Sequence, residues 1–251
     1  MTTIYVKRDY FFLDTEYRQP SIHQHFAKHI ILSVTTDLVV TFSENKNVYC
    51  KGIIIDSNIP HTVASQDNRM LVFLIDDTSI LARNIDKILS EKSFVIIEDS
   101  IVKEIQQLYH AYLVNDVDNS YTKFFNFVFR QLNIDCQNIA ITDKRIQWSL
   151  SYILEIDTID STIISDMCTK VELSKSRFSH LFKEQTGVSL NSYLALSKLR
   201  KAYQVLLKSG DITVSAMNAG FSSPSHFSAS SQKFLGISAS ELIGNCKIFS
   251  D

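Results

Sequence analysis

Hydrophobic and polar positions change their spacing about a third of the way along the chain. Up to residue 77, short runs rich in Ile, Val, Phe, Tyr and Thr are often separated by Asn, Asp, Pro or Gly, a pattern that predicts β-strands. The predicted strands lie near residues 3–6, 10–14, 30–34, 38–43, 47–50, 52–56 and 70–75. Short strands at this spacing are typical of a β-barrel or a jelly roll.

Beyond residue 77 the apolar positions recur at the period of an α-helix. Helices are predicted over Ser79–Leu89, Asp99–Leu113 and Ser120–Leu132. Further on, Thr142 or Asp143 can cap the helix that carries the single tryptophan. Strands and helices therefore occupy separate stretches of the chain, which predicts an α+β fold class.

Residues 161–187 predict two helices joined by a tight turn. Ile163 and Met167 belong to an apolar stripe at helical spacing, and the rhythm stops before Ser174. Ser174 is a suitable N-cap for the second helix, and Gly187 stands where a left-handed C-terminal cap is expected. A short helix, a turn and a second helix with a polar, cationic outer face are typical of a helix-turn-helix motif.

The second helix of this motif carries candidate DNA contacts. Its outer face presents four residues at i, i+3, i+4 and i+7 spacing: Ser176, Ser179, His180 and Lys183. Two cations near the start of the helix complete the candidates: Lys175 and Arg177. A solvated helix face is the alternative interpretation, but a second copy of the motif favours DNA contact.

That second copy lies later in the chain. Phe178 and Gly187 recur 49 positions on as Phe227 and Gly236. Leu173-Ser174 is echoed by Phe221-Ser222, with one extra residue before Phe227, and Val188-Ser189 is echoed by Ile237-Ser238. A long amphipathic helix is predicted between the copies, from Ser192 to Leu207. Internal repetition of this kind argues against a chance match.

The outer face of the second copy differs from the first in charge. Its candidate DNA contacts are Ser225, Ser228, Gln232 and Lys233, with Ala229 beside them. The face itself holds no cation, and direct contacts to guanine are usually made by Arg or Lys. The first copy is therefore expected to provide most of the sequence discrimination. The second copy is expected to anchor on phosphates through its helix N-terminus, its hydroxyls and Lys233.

The two copies resemble the DNA-binding domain of the AraC/XylS transcription regulators. The matching residues are Ile212, Ala216, Gly220-Phe221, Ser223, Ser225, Phe227 and Gly236 in the second copy, and Leu173-Ser174, Phe182-Lys183, Gly187, Lys198-Leu199 and Ala202 in and after the first.

The resemblance covers residues 143–244. It implies a DNA-binding domain at 143–251 whose two helix-turn-helix units enter successive major grooves of promoter DNA. It also implies a sequence-specific regulator, favours an activator, and implies RNA polymerase as a second partner. The second copy departs from the family at Ala229, Ser231, Gln232, Ala239 and Ile243.

The N-terminal part resembles the cupin-type sensor domain common in this family. The resemblance implies a sensing domain at residues 1–78, a helical dimerisation region at 79–132 and a linker at 133–142, and hence a homodimer that responds to a small-molecule effector. The predicted helices carry more exposed-looking aromatics than one small barrel can obviously cover: Tyr109, Tyr112, Tyr121, Phe124, Phe125, Phe127 and Phe129. We expect them to form the dimer interface. The alternative is that they pack on the open side of the barrel itself.

Four histidines in the predicted barrel are candidates for an effector or metal site: His23, His25, His29 and His61. Imidazoles in an HxHxxxH arrangement, with a later histidine, can bind zinc, nickel or iron-type metals. Structural hydrogen bonds or an ordinary effector pocket are the alternatives. No nucleotide-binding glycine loop is present in the sequence, so no cofactor is expected apart from a metal at this cluster.

Charge, cysteines and hydropathy refine the picture. Residues 1–144 carry a net charge of −4 and residues 145–251 one of +2, which suits a DNA-binding part joined to an acidic partner domain. The four cysteines form no CxxC pair, which is typical of free thiols in a reducing cytoplasm. Neither a membrane-spanning run nor a signal peptide is evident, so a cytoplasmic protein without membrane contact is expected.

Three other functions remain open at this stage. A small cupin-type metalloenzyme would use the histidines but leave the repeated helical half without a role. No Ser/His/Asp or Cys/His grouping supports nucleophilic catalysis, so an enzyme is not expected. Alternatively, the N-terminal half of a regulator could bind a protein partner instead of a small molecule. The chain could also be an adaptor that has lost DNA binding, which the unusual second copy permits.

Overall fold

The computed structural model describes most of the 251 residues. The described ranges are 2–7, 9–16, 22–24, 27–43, 46–77, 79–113, 119–135, 141–235 and 246–250. By its internal contacts the chain divides into two compact units. The N-terminal unit comprises residues 1–2, 11–77 and 81–137, and the C-terminal unit comprises residues 3–10, 78–80 and 138–251.

The elements follow the predicted order, with strands first and helices afterwards. The strands are β1 (Thr2–Val6), β2 (Tyr10–Glu16), β3 (Ala27–Ser33), β4 (Leu38–Phe42), β5 (Lys46–Cys50), β6 (Gly52–Ile55), β7 (His61–Ser65), β8 (Arg69–Asp76), β9 (Phe94–Ile96) and β10 (Cys246–Ser250). The helices are α1 (Ile80–Leu89), α2 (Asp99–Leu113), α3 (Asn119–Gln131), α4 (Lys144–Glu155), α5 (Ile163–Lys170), α6 (Lys175–Thr186), α7 (Leu190–Ser209), α8 (Ile212–Ala219) and α9 (Pro224–Leu235). A β-sheet unit and a helical unit confirm the predicted α+β fold class.

The N-terminal unit packs two sheets against each other. In the larger sheet β2, β8, β3, β6 and β9 lie side by side, and β5, β4 and β7 form the smaller sheet. Successive side chains of a strand point to opposite faces, so alternate residues enter the core between the sheets. Val40 and Val63 enter it from the smaller sheet, and Ile31 and Ile53 from the larger. This double-sheet arrangement is the one expected of a jelly roll.

The sequence pattern missed β7, β9 and β10. Along β7 the buried positions are His61, Val63 and Ser65, so two of the three side chains that face inward are polar. An alternation of apolar and polar residues, the usual sign of a half-buried strand, is therefore absent. β9 is only three residues long, which is too short to show any period.

The aromatic residues of α2 and α3 lie largely in the core of the N-terminal unit. Four of them are buried: Tyr109, Phe124, Phe125 and Phe129. Phe125 packs on Phe12 of β2, with ring centroids 4.7 Å apart, and Phe129 packs on Phe73 of β8 at 5.2 Å. The expectation that these four are exposed and form a dimer interface is therefore wrong, because the larger sheet covers them. The rest of the set is half-buried or has its side chain outside the described part: Tyr121, Phe127 and Tyr112.

A buried charge pair ties the larger sheet to α2. Asp14 of β2 is 1% exposed, and its carboxylate accepts two hydrogen bonds from the Arg69 guanidinium, at 3.0 and 3.1 Å. The Tyr109 hydroxyl donates a third, at 2.6 Å. Burial raises the pKa of Tyr109, and the Asp14 carboxylate raises it further, so the phenol stays protonated as a donor. The three side chains depend on one another because a buried carboxylate is costly unless its acceptors are paired.

A second buried charge holds α1 near β3. Lys28 of β3 is 4% exposed. Its ammonium contacts Asp56, and it lies 3.0 Å from the Asp77 carboxylate and 2.8 Å from that of Asp86 in α1. Burial by itself lowers the pKa of Lys28, but hydrogen bonds to the three carboxylates outweigh it and raise that pKa. Lys28 therefore stays charged at neutral pH and is neutralised within the unit.

Helices α4 to α9 build the C-terminal unit around an apolar core. Core residues come from α4 to α7 and include Ile153, Met167, Phe178, Phe182 and Leu194. Asp143 caps α4 by accepting a hydrogen bond from the Arg145 N–H at 2.9 Å, one of the two caps expected from the sequence. β1 pairs with β10 in this unit. Within the described residues, the helices are too short or too polar to cross a membrane.

We predict that Tyr109→Phe destabilises the N-terminal unit. The change removes the donor to Asp14 and leaves one lone pair of a buried carboxylate without its partner, which costs about 1–3 kcal/mol of unfolding free energy. Tyr49→Phe is the matched control, because Tyr49 is 68% exposed and the same hydroxyl is lost in water. Urea unfolding followed by near-ultraviolet circular dichroism measures both changes. Equal stability of the two variants would contradict a structural role for the Tyr109 hydroxyl.

Candidate nucleic-acid interface

The first copy of the helix-turn-helix motif consists of α5, a tight turn and α6. Glu172 adopts a left-handed conformation in the turn (φ 55°), and the Leu173 N–H donates to the Cys168 carbonyl at 3.1 Å. Ser174 then caps α6 by accepting a hydrogen bond from the Arg177 N–H at 3.3 Å, as predicted. Turn and cap together set the direction in which α6 leaves α5.

α6 is held along its inner face and at its end. Phe178 and Phe182 are fully buried, and the Phe182 ring lies 5.4 Å from that of Tyr193 in α7. Gly187 takes the predicted left-handed conformation (φ 79°), and its N–H donates to the Lys183 carbonyl at 2.9 Å. Because the inner face is buried, the opposite face of α6 is presented to solvent.

The predicted contacts of the first copy lie on that opposite face. The four exposed residues are Lys175, Ser176, Arg177 and His180, and the two half-buried residues are Ser179 and Lys183. The first turn of α6 contains no acidic residue, so its N–H groups and the cations beside them can bind a phosphate. His180 and Lys183 lie about one and two turns further along, where side chains reach base edges or the next phosphate.

The second copy repeats this arrangement in α8 and α9. Asp211 caps α8, accepting from the Thr213 N–H at 2.7 Å. Gly220 makes the left-handed turn (φ 90°), and the Phe221 N–H donates to the Ala216 carbonyl at 2.9 Å. The turn is therefore closed by the same kind of backbone hydrogen bond as in the first copy.

Ser223, and not Ser222, is the N-cap of α9. Its hydroxyl accepts a hydrogen bond from the His226 N–H at 3.1 Å, as the Ser174 hydroxyl does from the Arg177 N–H. The predicted echo of Ser174 by Ser222 is corrected accordingly. The offset of 49 residues holds from the cap onward, and the extra residue of the second copy lies in the turn.

The predicted contacts of the second copy also lie on an accessible helix face. Ser225, Ala229, Gln232 and Lys233 are exposed, and Ser228 is half-buried. The predicted set leaves out His226, which is exposed and occupies the position of Arg177 one repeat later. Its ring packs on Phe221 at 5.3 Å, and its Nδ1 lies 3.0 Å from the Ser222 hydroxyl. The repeat offset, applied to every candidate in the first copy, would have found it.

The unusual serine at position 231 has a structural explanation. Ser231 is fully buried and shares a hydrogen bond with the hydroxyl of Tyr203 in α7. The Tyr203 ring lies 5.3 Å from Phe227 of α9. The Tyr203 ring of α7 therefore fills the space next to Phe227, and the second copy keeps a packed core with a serine at position 231. Ala239 and Ile243, like Gly236 to Ser238, lie outside the described residues.

Two lysines of α7 make internal contacts. Lys201 donates to the carbonyls of Leu154, at 3.1 Å, and of Ile156, at the end of α4. The Lys198 ammonium lies 5.0 Å from the centre of the Phe221 ring. Burial lowers the pKa of both lysines. They stabilise the C-terminal unit and are not placed as DNA contacts.

Three of the four predicted histidines come together in the N-terminal unit. His29 and His61 are buried with ring centroids 4.8 Å apart, and His23 lies 5.1 Å from His61. His25 lies outside the described residues. Within the described part of the chain, no group of three or more His, Cys, Asp or Glu residues is arranged to hold a metal ion. The described histidines alone therefore do not support the metal hypothesis.

We predict that the N-terminal unit loses stability in mild acid because of His61. Burial lowers the pKa of His61 from 6.5 to about 4. The unfolded chain therefore binds a proton that the folded chain does not, and stability falls as the pH drops from about 6.5 towards 4. The loss between pH 7 and pH 5 is about 2 kcal/mol. Urea unfolding at both pH values measures it, and a His61→Asn variant with the same loss as wild type would contradict the assignment.

We predict that Glu172→Gly stabilises the C-terminal unit. A left-handed conformation is unfavourable for a residue with a β-carbon, and glycine relieves about 1 kcal/mol of this strain. Glu172→Ala is the matched control, since it removes the same charge but keeps the β-carbon. In thermal unfolding, the Glu172→Gly variant should have a higher melting temperature than the Glu172→Ala variant. Equal melting temperatures would mean that charge, and not backbone strain, decides the effect.

Comparison with known proteins supports the helix-turn-helix interpretation of this region. Residues 167–244 match a family described as a helix-turn-helix domain. Over 107 residues the chain is 30% identical to the arabinose operon regulatory proteins of Escherichia coli strain K12 and Salmonella typhimurium strain LT2. This stretch covers 42% of the chain but only 36% and 38% of the two relatives. The likeness is therefore confined to a little over a third of their length.

A solved structure extends the comparison to the fold of the whole chain. The crystal structure of a single-residue variant of apo ToxT from Vibrio cholerae strain SCE256 matches with a TM-score of 0.51, over 94% of this chain and 97% of that one. The sequence identity is 12%, so this likeness concerns the fold alone. The repeated motif, the matched domain and the likeness to the arabinose regulators together show that residues 167–244 form a helix-turn-helix domain similar to that of these regulatory proteins.

Proposed function

We propose that the chain is a sequence-specific transcription regulator that binds promoter DNA and activates transcription. The observation that carries this proposal is the pair of recognition helices α6 and α9, each capped by a serine and each presenting a polar outer face. Two such helices suit successive major grooves, about one turn of DNA apart. Activation further implies a contact with RNA polymerase at the promoter. We place the protein in the cytoplasm, where both partners are found.

The two recognition helices have different tasks in this proposal. α6 carries cations both at its start and along its outer face, so it can bind phosphates and guanine edges from one helix. The face of α9 consists of hydroxyls, one methyl group and the Gln232 amide, which matches adenine rather than guanine. Lys233 and His226 lie at its margins. The first copy accordingly provides most of the discrimination, and the second mainly anchors the protein.

We propose that the N-terminal unit senses a small molecule and forms the homodimer. Buried imidazoles lie in this unit, and a few polar groups in otherwise apolar surroundings are what fixes the orientation of a small ligand. The buried imidazoles of His29 and His61, with His23 next to them, are the proposed effector contacts, and His25 joins them from the sequence pattern alone. Because most aromatics of α2 and α3 are buried within the unit, dimerisation uses other residues of this unit.

A protein partner for the N-terminal unit is the main alternative. It predicts stable co-purification with that partner and no shift in melting temperature with small metabolites. An adaptor that no longer binds DNA is the other alternative.

Mapping of bound DNA across the genome, followed by footprinting, tests the whole proposal. We expect reproducible sites whose protection spans two adjacent major grooves, about 10 bp from centre to centre. The absence of such sites would contradict a DNA-binding regulator and favour the adaptor.

We predict that His180 and Lys183 make different contributions to binding. His180→Ala should weaken binding to the cognate site more than to random DNA, because a good base contact contributes about 1–3 kcal/mol. Lys183→Ala should weaken both and reduce the salt slope by about one unit if its ammonium binds a phosphate. Fluorescence anisotropy at several salt concentrations measures these effects.

Variants of the second copy are the controls for this prediction. Ser228→Ala should change affinity little, and Ala229→Arg should raise affinity for all sequences by adding a cation to the face. If changes at Ser225 and Ser228 abolish sequence preference while His180→Ala preserves it, the two copies have the opposite tasks.

A further inference from the structure

A short segment between α4 and α5 bonds to the second copy of the helix-turn-helix motif. The Thr158 hydroxyl donates to the Asn218 carbonyl at 2.8 Å, and the Ile159 N–H donates to the Ala219 carbonyl at 3.2 Å. Both acceptors belong to the last turn of α8, where carbonyls lack partners within the helix. Residues 158–160, called the clasp here, therefore complete the end of a helix that belongs to the other copy.

The clasp is itself anchored in the first copy. The Ile159 side chain is 3% exposed and belongs to the core that contains Met167 of α5 and Phe178 of α6. One residue thus buries its side chain against the first copy and bonds its backbone to the second. This connection is separate from α7, the helix that links the two copies along the chain.

The approach of the clasp explains why position 220 is a glycine. A β-carbon on Gly220 would lie 2.4 Å from the Ile159 carbonyl oxygen and 2.8 Å from its carbon. The first copy shows that the left-handed turn does not by itself require glycine, because Glu172 occupies it with φ 55°. No clasp is bonded to that turn among the described residues. Glycine at 220 is therefore required by close contact in addition to backbone conformation.

Lys198 makes a third connection at the same place. It extends from α7 with its ammonium over the Phe221 ring. Burial lowers the pKa of Lys198, and electrostatic attraction to Asp160 opposes that effect. The Lys198 ammonium thus contacts the turn of the second copy and is attracted by Asp160 of the clasp.

We propose that the clasp fixes the distance and rotation between α6 and α9, so that the protein accepts only one separation of its two half-sites. Thr158 and Gly220 are positioning residues, since they act through the placement of α9 and not by touching DNA. The inference rests on the proposed function. α7 packs on both copies, with Tyr193 against Phe182 in the first and Tyr203 against Phe227 in the second. The two hydrogen bonds of the clasp add a second point of attachment away from α7, so a rotation of the second copy relative to the first has to break them.

Operators with altered spacing test the proposal on the full-length protein. The mapped operator is compared with versions that carry one or two extra base pairs between the half-sites, each of which turns the second groove by about 35°. Anisotropy gives the ratio of affinities for native and expanded spacing. This ratio does not depend on the fraction of folded protein, so a general loss of stability leaves it unchanged.

Three variants are compared with wild type. Thr158→Val removes one donor and keeps the shape of the side chain, and Gly220→Ala displaces the clasp. Thr169→Val is the matched control, because Thr169 is also exposed and its hydroxyl donates at 2.9 Å to the Ser165 carbonyl within α5. We expect one inserted base pair to weaken wild type and the control by about tenfold, and the two clasp variants by about threefold or less.

The outcomes separate the clasp from the proposed function. If wild type binds no specific site, the proposed function fails, and the clasp proposal falls with it. If wild type binds its operator but tolerates the insertions, or if Thr158→Val keeps the wild-type ratio, the clasp proposal alone is overturned. Should Gly220→Ala fail to fold, Thr158→Val decides the question, since an exposed hydroxyl is all that it removes.

Discussion

The DNA-binding unit depends on the way its helices end. A helix leaves N–H groups unpaired at its start and carbonyls unpaired at its end, and isolated helices as short as α5 and α8 are unstable in water. Here Ser174, Asp211 and Ser223 bind the N–H groups, and Gly187 and Gly220 close the carbonyl ends. Because these ends are fixed, the helices to which they belong keep defined angles to their neighbours. The positions of α6 and α9 follow from these ends more than from helix propensity.

The two copies of the helix-turn-helix motif use one plan with different side chains. The left-handed turn is made by Glu172 in the first copy, at some cost in strain, and by Gly220 in the second. The second recognition helix, α9, packs on α7 through Tyr203 and Ser231. These two residues are in contact and share a hydrogen bond between the helices. The left-handed turn is therefore common to both copies, whereas the pairing of Tyr203 with Ser231 is local packing of the second copy.

The N-terminal unit combines an apolar core with a few buried charges. Asp14 and Lys28 lie inside, and each is paired by groups that come from other parts of the unit. A buried ion needs such partners, because the cost of removing it from water is large. The same contacts attach α2 and α1 to the sheet. Charge pairing and hydrophobic packing thus select the same arrangement of helices on strands.

The sequence by itself determined the features that have a local signal. The serine cap at 174, the glycine at 187 and the apolar stripe of α5 each lie within a few residues of the structure they specify, and the repeat of 49 residues identified the second copy. The range of α2 could also be predicted, because its period persists over fifteen residues. The candidate DNA contacts followed from the same helical period.

Only the tertiary structure decided which surfaces are covered. From the sequence, the helix that carries Phe124 and Phe125 could face solvent or a partner. Phe12 packs on both rings and buries them, although it lies more than a hundred residues earlier in the chain. The clasp, the pairing of Tyr203 with Ser231 and the missed strand β7 have the same cause. Contacts between residues far apart in the chain leave no periodic pattern in either segment, so their partners emerge only once the chain has folded.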